Sequence, residues 1–226
     1  DEFFLNHGIS KEKIYRYPFT SLYESQILDS SLDKKLKDKL KKELKVDSKY
    51  LILSVGQFIH RKGFDILLKA AKNFDESIQF LIIGGKPNST YLNLIKTLQL
   101  KNVKFKDFMT TKELEKYYMA ADIFVHPTRE DVWGLVINES MGKGVPTITT
   151  RHCAAGLEMI ENQKSGILVN RDSVVEVENA INVLLKDSNL RDSMSKESLI
   201  KSKQYTIEKS VIKHLDIFKS VLKVGA

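Results

Sequence analysis

The chain has 226 residues and a formal net charge of +7, with 42% hydrophobic and 29% charged residues. These values are typical of a globular protein with one large or two small domains. The single cysteine, Cys153, excludes an intrachain disulfide and a cysteine-based zinc site. No apolar run reaches the length of a membrane span.

The segment before residue 29 predicts little regular structure of its own. It contains a helix end and a strand-like run, Lys13–Tyr17, which Pro18 stops. Its apolar residues are too few to form a core, so we expect residues 1–28 to be a linker region rather than a domain.

A lysine-rich run follows and predicts an amphipathic helix. Leu32, Leu36, Leu40 and Leu44 recur at every fourth residue, with lysines between them. Two interpretations stay open: a solvated connector packed through its leucines, or a weak peripheral anchor to anionic lipid headgroups. Because the run lacks interleaved aromatic residues and a helix-turn-helix pattern, we expect no nucleic-acid partner.

From Tyr50 to about Leu185, short apolar runs alternate with helical patterns. The predicted strands are Tyr50–Val55, Gln79–Ile83, Val103–Phe108, Ile123–His126, Thr147–Thr149 and Gly166–Val169. The predicted helices are Phe64–Lys72, Tyr91–Leu98, Thr111–Ala120, Leu135–Met141, Ala155–Glu161 and Val174–Leu185. This alternation predicts an α/β, Rossmann-like, doubly wound parallel sheet, which binds ligands at the carboxyl ends of its strands. Residues 189–224 predict two additional terminal helices.

The loop after the first predicted strand has the features of a phosphate site. A buried strand ends in a glycine turn, and a helix begins beside two cations. Free main-chain amides at a helix start, a helix dipole that favours anions and a positioned lysine together suit a phosphate. The residues that carry this prediction are Gly56, Gln57, Arg61, Lys62 and Gly63.

The loop after the fourth predicted strand places two carboxylates, Asp131 and Glu139, around a glycine turn. Carboxylates accept hydrogen bonds from sugar hydroxyls. The main-chain amides of Gly134, Leu135 and Val136 lie at the predicted helix start, where they face an anion. Phosphate on one loop and hydroxyls on the next predict a nucleotide-sugar site.

These motifs together resemble those of the family 4 retaining glycosyltransferases. The stretches that carry the resemblance are Asn6–Ile14, Gly56–Gly63, Asp131–Ile148, Gly156–Ile160 and Ser165–Val169. The resemblance implies the GT-B fold, two Rossmann-like domains facing across a cleft, of which this chain is the C-terminal, donor-binding half. It implies a remnant of the N-terminal domain and linker at 1–28, a nucleotide-sugar-binding domain at 29–204, and a C-terminal helix at 205–226 that packs back toward the N-terminal domain.

The resemblance also implies roles for the site residues. Lys62 holds the donor diphosphate with help from Arg61 or His60, while Gln57 stands where the family usually has an arginine. The first carboxylate contacts the sugar, and the second binds the ribose hydroxyls. Asp131 is one methylene shorter than the usual glutamate, so its sugar contact is expected to shift. Phe108 and Met109 match the base-contacting stretch, although a core position for Phe108 stays an equal alternative.

The implied activity is transfer of a hexosyl group from a nucleotide-diphosphate sugar to an acceptor hydroxyl with retention of configuration. A UDP-sugar is the favoured donor and a GDP-sugar the alternative. The implied acceptor is a glycan, a lipid-linked glycan or a protein in polysaccharide or glycoconjugate biosynthesis. Because the other domain holds this acceptor, we expect little activity from this half alone. We expect a cytoplasmic protein, with peripheral membrane contact as an option.

Two motifs that are absent from the sequence bear on other possible functions. The sequence has no Asp-x-Asp pair, so we expect neither a metal nor any further cofactor. It has no Ser/His/Asp constellation in a supporting context, which argues against hydrolysis by a nucleophilic serine. A non-catalytic nucleotide-sugar-binding or assembly module and a GT-B-fold epimerase remain as alternatives.

Overall fold

A computed structural model describes residues 2–224 of the protein. Its centre is one six-stranded sheet, in which all neighbouring strands are parallel and the order is β3-β2-β1-β4-β5-β6. The strands are β1 Tyr50–Val55, β2 Ile78–Ile83, β3 Val103–Lys106, β4 Ile123–His126, β5 Thr147–Thr150 and β6 Ile167–Val169. The predicted α/β, doubly wound, Rossmann-like fold is confirmed.

Helices cover both faces of the sheet. They are α1 Glu2–Asn6, α2 Lys34–Glu43, α3 Phe64–Ala71, α4 Ser89–Leu98, α5 Thr111–Ala120, α6 Leu135–Gly142, α7 Ala154–Met159, α8 Val174–Lys186, α9 Ser188–Ser202 and α10 Ile207–Val224. One hydrophobic core lies between the sheet and α3, α4 and α8. A second core lies on the opposite face, under α2, α5, α6 and α7. Burial on both faces explains why the central strands are nearly continuous apolar runs.

Two predicted strands need correction. Lys13–Tyr17 forms no strand, because it ends a 3₁₀ turn at Lys11–Lys13 and then runs extended without a partner strand. The predicted Val103–Phe108 strand ends at Lys106. The other predicted strands and helices between β1 and α8 lie within two residues of their observed bounds.

The connecting segment before α2 packs onto α6. Leu22 and Ile27 are buried, and the Leu28 amide donates to the Gly142 carbonyl at 3.0 Å. The Ile207 amide at the start of α10 donates to the Leu22 carbonyl at 2.8 Å. These contacts join the linker region to the sheet domain. The predicted division at residues 28 and 204 stays a prediction, and its outer limits at residues 1, 225 and 226 lie outside the described residues.

The lysine-rich helix α2 uses two of its lysines inside the fold. Lys41 is buried, and its Nζ lies 2.6 Å from a carboxylate oxygen of Asp122. Lys37 donates to the Ala121 carbonyl at 2.9 Å, and burial lowers the pKa of its ammonium. Leu40 is buried in the second core. These contacts agree with the connector interpretation of this run.

The last helix, α10, exposes an apolar stripe along its length. The exposed apolar residues are Val211, Ile212, Leu215, Phe218, Val221 and Leu222. Within residues 2–224, no helix combines the length and apolar character needed to cross a membrane.

Candidate functional site

The site lies where the chain order of the strands reverses, between β1 and β4. These two parallel neighbours end side by side, and the helices that follow them, α3 and α6, pack on opposite faces of the sheet. A crevice at such a switch point is where open α/β sheets bind ligands. The loops at 56–63 and 127–134 form its walls.

The loop after β1 approaches the loop after β4 at a glycine. Gly63 has φ +67°, and a Cβ built there would lie 2.0 Å from the Pro127 carbonyl oxygen. A side chain at residue 63 therefore has no room. The 3₁₀ turn His60–Lys62 precedes this contact. Gln57 and Arg61 are exposed, whereas only 14% of the Lys62 side chain is exposed and its ammonium contacts Asp131.

Arg129 ties the two loops together. Its NH1 and NH2 donate to the two carboxylate oxygens of Asp65, each at 2.8 Å. Its Nε lies 2.6 Å from Asp172, and NH1 also donates to the His60 carbonyl at 2.6 Å. Burial acts to raise the pKa of Asp65, but the Arg129 hydrogen bonds outweigh it and the net shift is downward. A planar guanidinium is suited to this multipoint contact.

The Asp131 carboxylate is the electrostatic centre of the crevice. Oδ2 accepts hydrogen bonds from Lys62 Nζ at 2.5 Å and from His126 Nε2 at 3.0 Å. Oδ1 lies 3.4 Å from Arg61 NH1. Burial acts to raise the pKa of Asp131, but the bonds from His126 and Lys62 hold it well below its usual range. The carboxylate is therefore ionised throughout the physiological pH range.

His126 lies beneath Asp131 at the end of β4 and is fully buried. Burial lowers the pKa of its imidazole, despite the opposing effect of Asp131. Its Nδ1 has no hydrogen-bond partner among the described residues. Its ring stacks on the ring of Phe124.

The start of α6 offers free amides to an anion. Gly134 has φ +95°, and a Cβ built there would lie 2.7 Å from the Cys153 sulfur, so the tight turn requires glycine. The first amide to donate within the helix is that of Ile137, to the Gly134 carbonyl at 2.8 Å. The amides of Leu135 and Val136 precede it, at the positive end of the helix dipole.

Glu139, the second predicted carboxylate, lies on the α5 side of α6. Tyr118 donates its hydroxyl to Glu139 Oε2 at 2.8 Å. Burial raises the pKa of Glu139, and the Tyr118 bond opposes that shift. Both side chains line a cavity of about 450 Å³ between α5, α6 and the connecting segment, together with Leu22 and Thr111. This cavity has room for a ribose or a base.

The predicted base-contacting residues lie in the loop after β3. Phe108 is 79% exposed, so the alternative core position for this residue is wrong. The strand ends at Lys106, and Phe108 therefore follows the sheet rather than belonging to it. Met109 is half-buried and packs against the second core. An exposed ring beside an anchored methionine is available to a planar ligand.

The structure thus brings Arg61, Lys62 and Asp131 into contact. Glu139 faces the neighbouring cavity instead of this cluster. Three further residues take part that sequence reasoning did not assign: His126, Arg129 and Tyr118. Only His126 carried a usable signal, since it ends a strand at the switch point. Among residues 2–224, no group of three His, Cys, Asp or Glu is arranged to hold a metal ion, and metal independence stays a prediction.

Sequence comparisons connect this geometry to known proteins. The model of the family described as "Glycosyl transferases group 1" matches residues 36–199. An uncharacterized glycosyltransferase of Haemophilus influenzae is 30% identical over 166 residues, which make up 71% of this chain and 46% of the relative. The chain spans about half the length of the curated relatives it matches.

Solved structures share the fold at low sequence identity. Sucrose-phosphate synthase from Thermosynechococcus elongatus is 22% identical with a TM-score of 0.81, covering 99% of this chain and 56% of that protein. HepE from Anabaena, in complex with UDP, is 19% identical with a TM-score of 0.81, covering 97% and 60%. HepE is also known in complex with UDP-glucose, with a TM-score of 0.78, 19% identity and coverage of 97% and 60%.

Proposed function

The chain belongs to the group 1 glycosyl transferases, and on that premise we propose that it is the donor-binding half of a retaining enzyme. The enzyme moves a hexosyl group from a nucleotide-diphosphate sugar to an acceptor hydroxyl. The observation that carries this proposal is the position of Lys62 and the α6 amides at one switch point. A lysine ammonium and a helix start, both favourable to anions, thus lie at the end of the sheet where open α/β sheets bind ligands.

The proposed donor lies across both loops. Lys62 and Arg61 bind the diphosphate with the main chain at Gly56, Gln57 and Gly63, and the amides of residues 134–136 bind it from the other side. Because Gln57 carries no charge, Arg61 supplies the second cation. Catalysis comes from stabilising the departing diphosphate and orienting the donor.

Neighbouring residues bind the ribose, the sugar and the base of the proposed donor. Glu139 accepts the ribose hydroxyls, and Asp131 accepts a sugar hydroxyl at Oδ1, since Oδ2 is already bound. Phe108 and Met109 contact the base. UDP is the first choice, because HepE shares the fold and binds UDP and UDP-glucose; GDP is the alternative.

The acceptor is proposed to be held by a separate domain. A glycan, a lipid-linked glycan or a protein in polysaccharide or glycoconjugate biosynthesis fits this role. The exposed apolar stripe of α10 supports packing of residues 205–226 against such a domain. Without that domain, this chain binds nucleotide but transfers little sugar.

The location proposed for the enzyme is the cytoplasm, with peripheral contact to anionic lipids. The exposed lysines of α2, which include Lys34, Lys35, Lys39 and Lys42, support that contact. Lys37 and Lys41 are engaged inside the fold and do not contribute to it.

A second candidate is a non-catalytic nucleotide-sugar-binding module. One observation favours it: Lys62 is paired with Asp131 at 2.5 Å, so a diphosphate has to compete with a carboxylate for the same ammonium. Such a module would bind nucleotide without supporting transfer when the acceptor domain is supplied.

The test is calorimetric titration with UDP, GDP, ADP and CMP, first in EDTA and then with magnesium. We expect one nucleotide to bind in EDTA, and Lys62→Ala and Glu139→Ala to abolish that binding. Lys72→Ala, which removes an exposed lysine just after α3, is the matched control and leaves it unchanged. Binding that survives Lys62→Ala would refute the site, and transfer by the chain alone would refute its dependence on a second domain.

A further inference from the structure

We propose that His126 is a positioning residue that holds Asp131, and through Asp131 fixes Lys62 for the donor diphosphate. This inference rests on the proposed function. His126 does not reach the crevice itself, because its side chain is fully buried. Its contact with the site is the single bond from Nε2 to Asp131 Oδ2, at 3.0 Å.

The bond fixes one carboxylate oxygen and leaves the other open. Oδ2 accepts from His126 on one side and from Lys62, at 2.5 Å, on the other. Oδ1 lies 3.4 Å from the exposed Arg61 guanidinium. An aspartate held at two points has less side-chain freedom to lose when a ligand binds than an unrestrained carboxylate has.

The hydrogen bonds around the His126 ring assign its tautomer. Nδ1 is buried without a partner among residues 2–224, so a proton there would be an unpaired buried donor. The proton is therefore on Nε2, and the ring is a neutral donor to Asp131. The charged groups that act on this ring are Asp131, Lys62 and Arg61, and the Phe124 ring stacks on it.

The first test needs no ligand. Nitrogen-15 NMR of the histidine side chains should show His126 as the neutral Nε2–H tautomer at pH 7, and the resonance is assigned by its loss in His126→Gln. Asp131→Ala should shift that resonance, while Asp172→Ala, which removes another carboxylate contacting the loops, should not. A ring protonated on Nδ1 at pH 7 would overturn the proposal.

The second test is a double-mutant cycle on UDP affinity. His126→Leu removes the donor and should weaken UDP binding about tenfold, whereas His126→Gln keeps a donor amide and should restore most of the affinity. In an Asp131→Ala background, His126→Leu should have no further effect, because its route to Lys62 is gone. Thermal unfolding of each variant confirms that it is folded.

The outcomes separate the two proposals. Additive losses in the cycle, or equal losses for Leu and Gln, would overturn the positioning role and leave the proposed function intact. If the parent chain binds none of the four nucleotides, the proposed function fails and the positioning role fails with it, even where NMR shows the His126–Asp131 bond.

Discussion

Arg129 acts as a brace, in the sense that its guanidinium binds several groups of the two loops at once. Replacing it with lysine should separate the contribution of this brace to stability from that of the positive charge. Arg129 makes four polar contacts to Asp65, Asp172 and the His60 carbonyl, and its side chain is 14% exposed. A lysine keeps the charge but loses the fork, and with it about half of these contacts. At about 1 kcal/mol for each bond lost in a partly exposed site, the free energy of unfolding should fall by about 2 kcal/mol.

The assay is thermal and urea unfolding followed by circular dichroism, with UDP titration in parallel. For a domain of this size, the expected loss lowers the melting temperature by roughly 4–8 °C. Arg171→Lys is the matched control, since Arg171 also faces Asp172 but is half exposed and 3.8 Å away. A melting temperature within about 1 °C of the parent for Arg129→Lys would refute the brace. A loss of stability with unchanged UDP affinity would show that the brace does not position the site.

Three further predictions concern the same loops. Lys62→Met should weaken UDP binding by about 30-fold or more. Adding Asp131→Asn should recover part of the loss, because a negative charge that Lys62 no longer balances is then removed from beside the phosphate. A double variant that binds UDP more weakly than the single one would contradict this. Gly63→Ala should lower the free energy of unfolding in urea by about 3 kcal/mol or more, because the added Cβ would lie 2.0 Å from a main-chain oxygen. Gly85 is also at positive φ but has open space around it, so Gly85→Ala should lower that free energy by less. Asp65 and Asp131 have lowered pKa values. Their contribution to the free energy of unfolding is therefore complete above about pH 4 and is lost below it. A contribution from these two residues that falls between pH 8 and 5 would disprove the assignment.

The fold was predictable because its strands are buried on both faces. β1, β2 and β4 are apolar at nearly every position, and each is followed by a helical pattern, so both type and order could be read locally. Lys13–Tyr17 contains Ile14, Tyr15 and Tyr17, which are residue types that favour strands, yet a strand also needs a neighbour to take its hydrogen bonds. No local pattern reveals whether such a neighbour exists.

The candidate site was predictable in its main-chain part and less so in its side-chain contacts. Glycines at tight turns and helix starts leave a local pattern, as at Gly63 and Gly134. Arg129 and Asp65 are 64 residues apart in the chain, and Tyr118 and Glu139 are 21 apart. Their pairing depends on the packing of separate elements, which spacing within one motif does not encode.

The attachment of the connecting segment to α6 has a mechanical consequence. Asn138 in α6 donates to the Phe19 carbonyl at 3.3 Å, and Lys143, the residue after α6, donates to the Gln26 carbonyl at 2.6 Å. A force that pulls on the N-terminal end of the chain is therefore transmitted to α6 before it reaches the strands. Because α6 also carries Glu139 and the amides that we propose bind the diphosphate, we expect tension along the segment to change nucleotide affinity before the sheet unfolds.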